Sequence, residues 1–188
     1  PVATDNCSVA TVSNNAPAIY PLGLTTVTWT VVDGSGNTST ATQLVNVVDN
    51  ILPVINVNDI TVIVNDNGST TITFNDVDGG TTDNCGIASM TLSQVNFDCS
   101  HLGNNTVVFT VVDNNGNTVT QNVTVTVLDN INPVAIGQNI TVSLNADGQF
   151  ILDPALIDNG SYDNCDYTLT ASPNIFGPAN IGVNNVIL

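Results

Sequence analysis

A period of 80 residues governs this chain. The stretch Thr25 to Pro53, TTVTWTVVDGSGNTSTATQLVNVVDNILP, returns from Asn105 to Pro133 as NTVVFTVVDNNGNTVTQNVTVTVLDNINP. Asp33 and Asp113 stand 80 apart, as do Asp49 and Asp129. Asp83-Asn84-Cys85 returns as Asp163-Asn164-Cys165 and has an earlier copy, Asp5-Asn6-Cys7, 78 residues upstream. A fixed period means one structural unit used repeatedly, so every residue is read by its place in the repeat. The spacing divides the chain into the C-terminal part of a first repeat (1–50), a complete second repeat (51–130) and the N-terminal part of a third (131–188). Half-domains with open sheet edges are poor independent folds, so the expectation is an excerpt of a longer tandem array.

Inside the complete repeat the apolar pattern has period two. Strands are expected at Ile60–Val64, Thr70–Phe74, Ile87–Leu92, Thr106–Val112 and Thr118–Leu128, separated by turn clusters such as Asn65-Asp66-Asn67-Gly68. Val107, Phe109 and Val111 share one face, as do Val123, Val125 and Val127, and Val27, Trp29 and Val31 take the matching inward places in repeat 1. No helical period of useful length occurs. Many short strands in about 80 residues indicate an all-β fold of tandem immunoglobulin-like β-sandwich repeats.

Charge narrows the function. The chain has no Lys or Arg and 16 acidic residues, all Asp, for a net charge of −16. Nothing here can neutralise phosphates, which excludes nucleic acid as a partner, and attraction to an anionic membrane surface is excluded likewise. At 42% hydrophobic the chain is too apolar for acidic disorder, and no apolar run is long enough to span a membrane. Without lysine it cannot form Lys–Asn isopeptide cross-links.

The carboxylates recur in three places. Asp33 and Asp113 open the hairpin turns; Asp76, Asp78, Asp83, Asp158 and Asp163 lie in or beside the Asp-Asn-Cys loops; Asp49-Asn50 and Asp129-Asn130 follow the last strand of a repeat. In an immunoglobulin-like sandwich the last strand of one domain exits beside the loops that open the next. Asp49 and Asn50 are therefore expected near Asp76, Asp78, Asp83 and Asp113, and Asp129 and Asn130 near Asp158 and Asp163. Several carboxylates with Asn and carbonyl oxygens, and no cationic partner, suit a hard cation, so calcium at the junctions is the expected cofactor. The competing reading is local: Asp and Asn are also the preferred residues of turns. Asp113-x-Asn115-x-Asn117 begins like an EF-hand loop, but Thr118 stands where that loop needs Gly, and the chain has no Glu.

The run DNCGIASMTLSQVNFDCSHLGNNTVVFTVVDNNGNTVTQNVTVTVLDNINP resembles the hyalin-repeat (HYR) module, and in particular its tandem copies in giant SprB-type surface adhesins of gliding Bacteroidota. The DNC, FDC, Leu-Gly, VDxxGN and DNxxP motifs recur in that order. The resemblance implies an immunoglobulin-like sandwich, export to the extracellular cell surface by type IX secretion, and a structural or adhesive role in gliding motility. In the family pattern the DNC cysteine is matched by one at the FDC position. Repeat 2 keeps both, so the resemblance implies a disulfide between Cys85 and Cys99; closing a loop of that length is worth about 3 kcal/mol. Cys7 and Cys165 lack a local partner and are expected as buried free thiols.

Catalysis finds little footing. His101 is the single histidine, and its neighbours Asp98 and Ser100 are too close in sequence to be expected to converge as a triad. The reading is therefore not an enzyme but a rod segment of a cell-surface adhesin. Its partners are neighbouring repeats and, on its exposed faces, extracellular surfaces or polysaccharide. The alternatives are a filament subunit completed by strand exchange, an accessory module of a secreted enzyme, and a calcium-dependent sugar-binding module.

Overall fold

A computed structural model describes residues 2–188. The fold is all-β. The chain forms two compact units. The first takes the chain up to Val54 with Thr82–Ser89 and Val111–Val119; the second takes Ile55–Thr81, Met90–Thr110 and Thr120–Leu188. The first thus joins repeat 1 to the Asp-Asn-Cys loop and hairpin turn of repeat 2, and the second joins the rest of repeat 2 to repeat 3.

In the first unit β1 (Val9–Asn14), β2 (Gly23–Asp33) and β3 (Thr38–Val47) make an antiparallel sheet in the order β1-β2-β3. The β2–β3 turn is written in its residues: Asp33 Oδ1 accepts from the amides of Ser35 and Asn37, both at 2.8 Å, and Gly36 supplies the positive φ of 87° that a side chain would resist. Of the three residues expected inward, Val27 is buried, whereas Trp29 and Val31 are only half-buried. Trp29 Nε1 donates to Gln43 Oε1 at 3.0 Å across the sheet. Repeat 1 contributes three strands and no second sheet among the described residues, and full burial of a sheet face needs a facing layer.

Repeat 2 supplies β4 (Ile60–Ile63), β5 (Ser69–Thr71), the one-turn helix α1 (Phe74–Val77), β6 (Ile87–Leu92), β7 (Asn96–Asp98), β8 (Gly103–Asp113) and β9 (Thr118–Leu128). Four of these strands form a sheet in the order β4-β9-β8-β6, with β4 parallel to β9, and β5 pairs antiparallel with β7. The expected inward residues are the core: Val107, Phe109, Val111, Val123, Val125 and Val127 are at most 1% exposed. Val64, Ile72, Val77 and Phe97 are buried with them. The expected strand to Phe74 stops at Thr71. The Thr73 amide and hydroxyl both donate to Asp76 Oδ2, at 2.6 and 2.8 Å, which turns the backbone into α1 and drives Val77 inward.

Repeat 3 adds β10 (Phe150–Ile151) and β11 (Ile175–Phe176), paired antiparallel, over a small core of Leu152, Ile157 and Phe176. The period is visible in backbone pairing too. The bridges Val54–Thr82 and Val57–Asp78 recur as Val134–Tyr162 and Gly137–Asp158.

The disulfide corrects the expected pairing. Cys99 is bonded to Cys165, 66 residues away and with a Cα–Cα distance of 5.5 Å; it is not bonded to Cys85, which is free. Cys165, expected as a free thiol, is thus in the bond, and Cys7 is free but exposed rather than buried. The reason is strand length. β6 intervenes between Cys85 and Cys99, and its six residues at about 3.3 Å each carry the chain roughly 20 Å. β7 does not bring it back, because it pairs with β5 rather than with β6. A disulfide needs Cα atoms within about 7 Å.

Candidate functional site

Three stretches of the first unit bring carboxylates together. Asp49 lies just beyond β3, Asp83 lies in the loop before β6, and Asp113 ends β8. One carboxylate oxygen from each lies within 4.8 Å of the others. Asp113 is 1% exposed and Asp49 9%.

Their hydrogen bonds are unequal. Asp113 is fully engaged: Oδ1 accepts from the amides of Asn115 and Asn117 at 2.9 and 2.7 Å, and Oδ2 from Asn117 Nδ2 at 2.7 Å. Burial works against its charge, yet the bonds from Asn117, Asn115 and Gly116 outweigh it and hold Asp113 below the ordinary aspartate range. Asp49 Oδ1 accepts from the Ile51 amide at 3.0 Å and Asn84 Nδ2 at 3.5 Å, and Asp83 Oδ1 accepts from the Cys85 amide at 2.8 Å. The Oδ2 atoms of Asp49 and Asp83 are shut off from solvent and accept from no donor. Asn117 Nδ2 also reaches the carbonyls of Asp49 and Ile51, at 3.1 and 3.2 Å, tying the strand exit to the hairpin turn. The Cys85 thiol beside this group is pushed up, first by the neighbouring Asp49 carboxylate, then by burial and by the charges of Asp83 and Asp113. It stays a protonated thiol.

The other carboxylates expected here are engaged locally. Asp33 holds its own turn, and its bonds from Asn37 and Ser35 lower its pKa. Asp76 caps α1, and the Thr73 amide and hydroxyl lower its pKa. Asp78 and Asp158 occupy equivalent places, closing their loops on Thr81 and Ser161, whose bonds lower both. Asn50 and Asn130 are exposed.

In the second unit the equivalent stretches meet differently. Asp129 Oδ1 accepts from the Ile131 amide at 3.0 Å and from Asn164 Nδ2 at 3.2 Å. Asp163 Oδ1 and Asn164 Oδ1 are buried without a partner. Beside them sits the Cys99–Cys165 disulfide, packed against Gly68: a Cβ there would fall 2.5 Å from the Asn164 carbonyl and 2.8 Å from Cys99 Sγ. In repeat 1 the place of Cys99 is taken by Ile19, so Cys85 has no counterpart bond. Asn84, Asn117, Asn164 and Gly68 were not singled out as site residues from the sequence. Their recurrence in the DNC and VDxxGN motifs and in the Asn-Gly turn was the available signal.

Asp98, Ser100 and His101 do converge, against expectation. His101 Nδ1 lies 2.8 Å from Asp98 Oδ1 and 3.3 Å from Ser100 Oγ, while the Ser100 hydroxyl donates to the same Asp98 oxygen. A triad needs acid and nucleophile on opposite nitrogens of the imidazole. Here both meet Nδ1, and the serine proton goes to Asp98, so the cluster is the cap of the short turn Cys99–His101. Its bonds from Ser100 and His101 lower the Asp98 pKa.

The fold and these junctions define an all-β tandem-repeat protein. No family model matches the chain. Across 95% of its length it is 34% identical, over 195 residues, to hyalin of Strongylocentrotus purpuratus, and that similarity supports a hyalin-repeat-like module. The chain spans 16% of hyalin's length.

Proposed function

We propose that the chain is a non-catalytic, load-bearing segment of an extracellular adhesive protein, its repeats acting as a spacer. The observation that carries this is the Cys99–Cys165 disulfide, which ties one repeat covalently to the next. A disulfide persists in oxidising, extracellular surroundings, no helix among the described residues is long and apolar enough to cross a membrane, and the likeness to hyalin extends over nearly the whole chain. The finer assignment, to gliding-motility adhesins of Bacteroidota exported by type IX secretion, rests on the motif resemblance. Single-molecule pulling on the 188-residue segment tests the mechanical role. The oxidised protein should withhold the contour of the 66 bridged residues, about 230 Å at 3.5 Å each, and reductant should release it. Equal contour lengths with and without reductant would exclude a load-bearing staple.

One observation favours a second reading, strand exchange between copies in a filament. The β1-β2-β3 sheet has β1 and β3 as edges and leaves Leu24 and Leu44 more than half exposed. Ultracentrifugation separates the two: a mass that stays monomeric with rising concentration supports the spacer.

A further inference from the structure

We propose that Asp49, Asp83 and Asp113 together hold one hard divalent cation, Ca²⁺, within the first unit. Proximity of the carboxylates is not enough, because Asp113 already has a full set of turn bonds. The decisive feature is what their neighbours lack. Asp49 is nine-tenths buried, and its Oδ2 is closed to solvent and accepts from no donor, as is the Oδ2 of Asp83. A buried carboxylate oxygen without a donor or a counter-charge is costly. The chain offers no remedy of its own: it has no Lys or Arg, and its one His is bonded to Asp98 in the second unit. A bound cation would satisfy both oxygens and relieve the repulsion among three carboxylates.

The donor set selects the cation. The atoms facing one another are carboxylate oxygens from three separate stretches, and oxygen-only sets suit Ca²⁺, which completes six to eight ligands with water. The pattern recurs 80 residues on. Asp163, the counterpart of Asp83, again has a buried oxygen with no donor, and its neighbour Asn164 bonds Asp129, the counterpart of Asp49. The counterpart of Asp113 falls outside the 188 residues, so the complete three-carboxylate set is that of the first unit. This assignment does not depend on the adhesive role.

The test is calcium titration of the chelator-stripped 188-residue protein, read by calorimetry and by hydrogen exchange of the Gly23–Val47 strands. The expected result is saturable Ca²⁺ binding, with a dissociation constant of about 10⁻⁴ to 10⁻³ M as in extracellular modules, and slower exchange in those strands. Asp49→Asn and the near-isosteric Asp83→Asn should each weaken this binding at least tenfold, while Asp33→Asn leaves it unchanged. Both cluster variants should remain folded without calcium, since each removes a repelling charge. Three results would overturn the proposal: no saturation by about 10 mM Ca²⁺, an equal loss in Asp33→Asn or Asp163→Asn, or tighter binding of Zn²⁺ than of Ca²⁺.

Discussion

The Asp49 junction and the Asp129 junction are built on one 80-residue frame and are held in different ways. At the first, a side-chain amide, Asn117 Nδ2, ties the exit of β3 to the hairpin turn, three carboxylates gather, and Cys85 is free. At the second, Asn164 Nδ2 bonds Asp129, and a covalent bond, Cys99–Cys165, joins the two repeats. The switch between them is one residue type, Ile19 in place of the cysteine found at Cys99. A repeat can therefore keep its strand frame while exchanging a covalent junction for a hydrogen-bonded one.

The largest effect expected is on the second junction. Reduction, or Cys165→Ser, should cost the second unit about 4 kcal/mol, the loop-entropy value for a closure of this length. Hydrogen exchange in the Phe150–Phe176 region should show it, while the Gly23–Val47 strands stay unchanged because Cys7 and Cys85 are free. Equal acceleration in both regions would erase the distinction between the junctions.

Gly68→Ala sharpens it further. The position has φ 68° and crowds the disulfide, whereas its counterpart Gly148, φ 75°, faces only Pro178 Cγ at 3.8 Å. The Gly68 variant should lose about 1–3 kcal/mol and the Gly148 variant distinctly less, as measured by denaturant midpoints. At the first junction, Asn117→Ala removes the donor for the Asp49 and Ile51 carbonyls and for Asp113 Oδ2. A loss of about 1–2 kcal/mol is expected, confined to the first unit.

The smallest effect is on pH dependence. Asp33 in the first unit and Asp158 in the second are both lowered from 3.8, chiefly by Asn37 and by Ser161. Their contribution is therefore complete above the unfolded value and is lost as pH falls through the lower folded one. Both units should lose stability in parallel in acid below about pH 4. Asp158→Asn should flatten that slope for the second unit alone; a slope unchanged by the substitution would remove Asp158 from the acid response.

Much of the fold was legible because strand alternation is local. β6 and β9 run as expected, and the buried set Val107, Phe109, Val111, Val123, Val125 and Val127 follows from period two. Trp29 shows the limit: its place in the pattern matched Phe109, but burial also depends on a facing layer. The gathering of Asp49 with Asp83 and Asp113 was foreseeable from where a last strand exits. Asp76 and Asp78 are instead engaged within their own loop, by Thr73 and Thr81.

By itself the sequence determined the repeat, the strands, the inward faces and the turns, since each depends on residues a few positions apart. Tertiary structure decided which cysteine met which, and which carboxylates were left without donors. A strand holds its two ends apart, so Cys99 bonded across 66 residues instead of 14. Which oxygens of Asp49 and Asp83 remained unsatisfied was set by the donors that packing brought within reach.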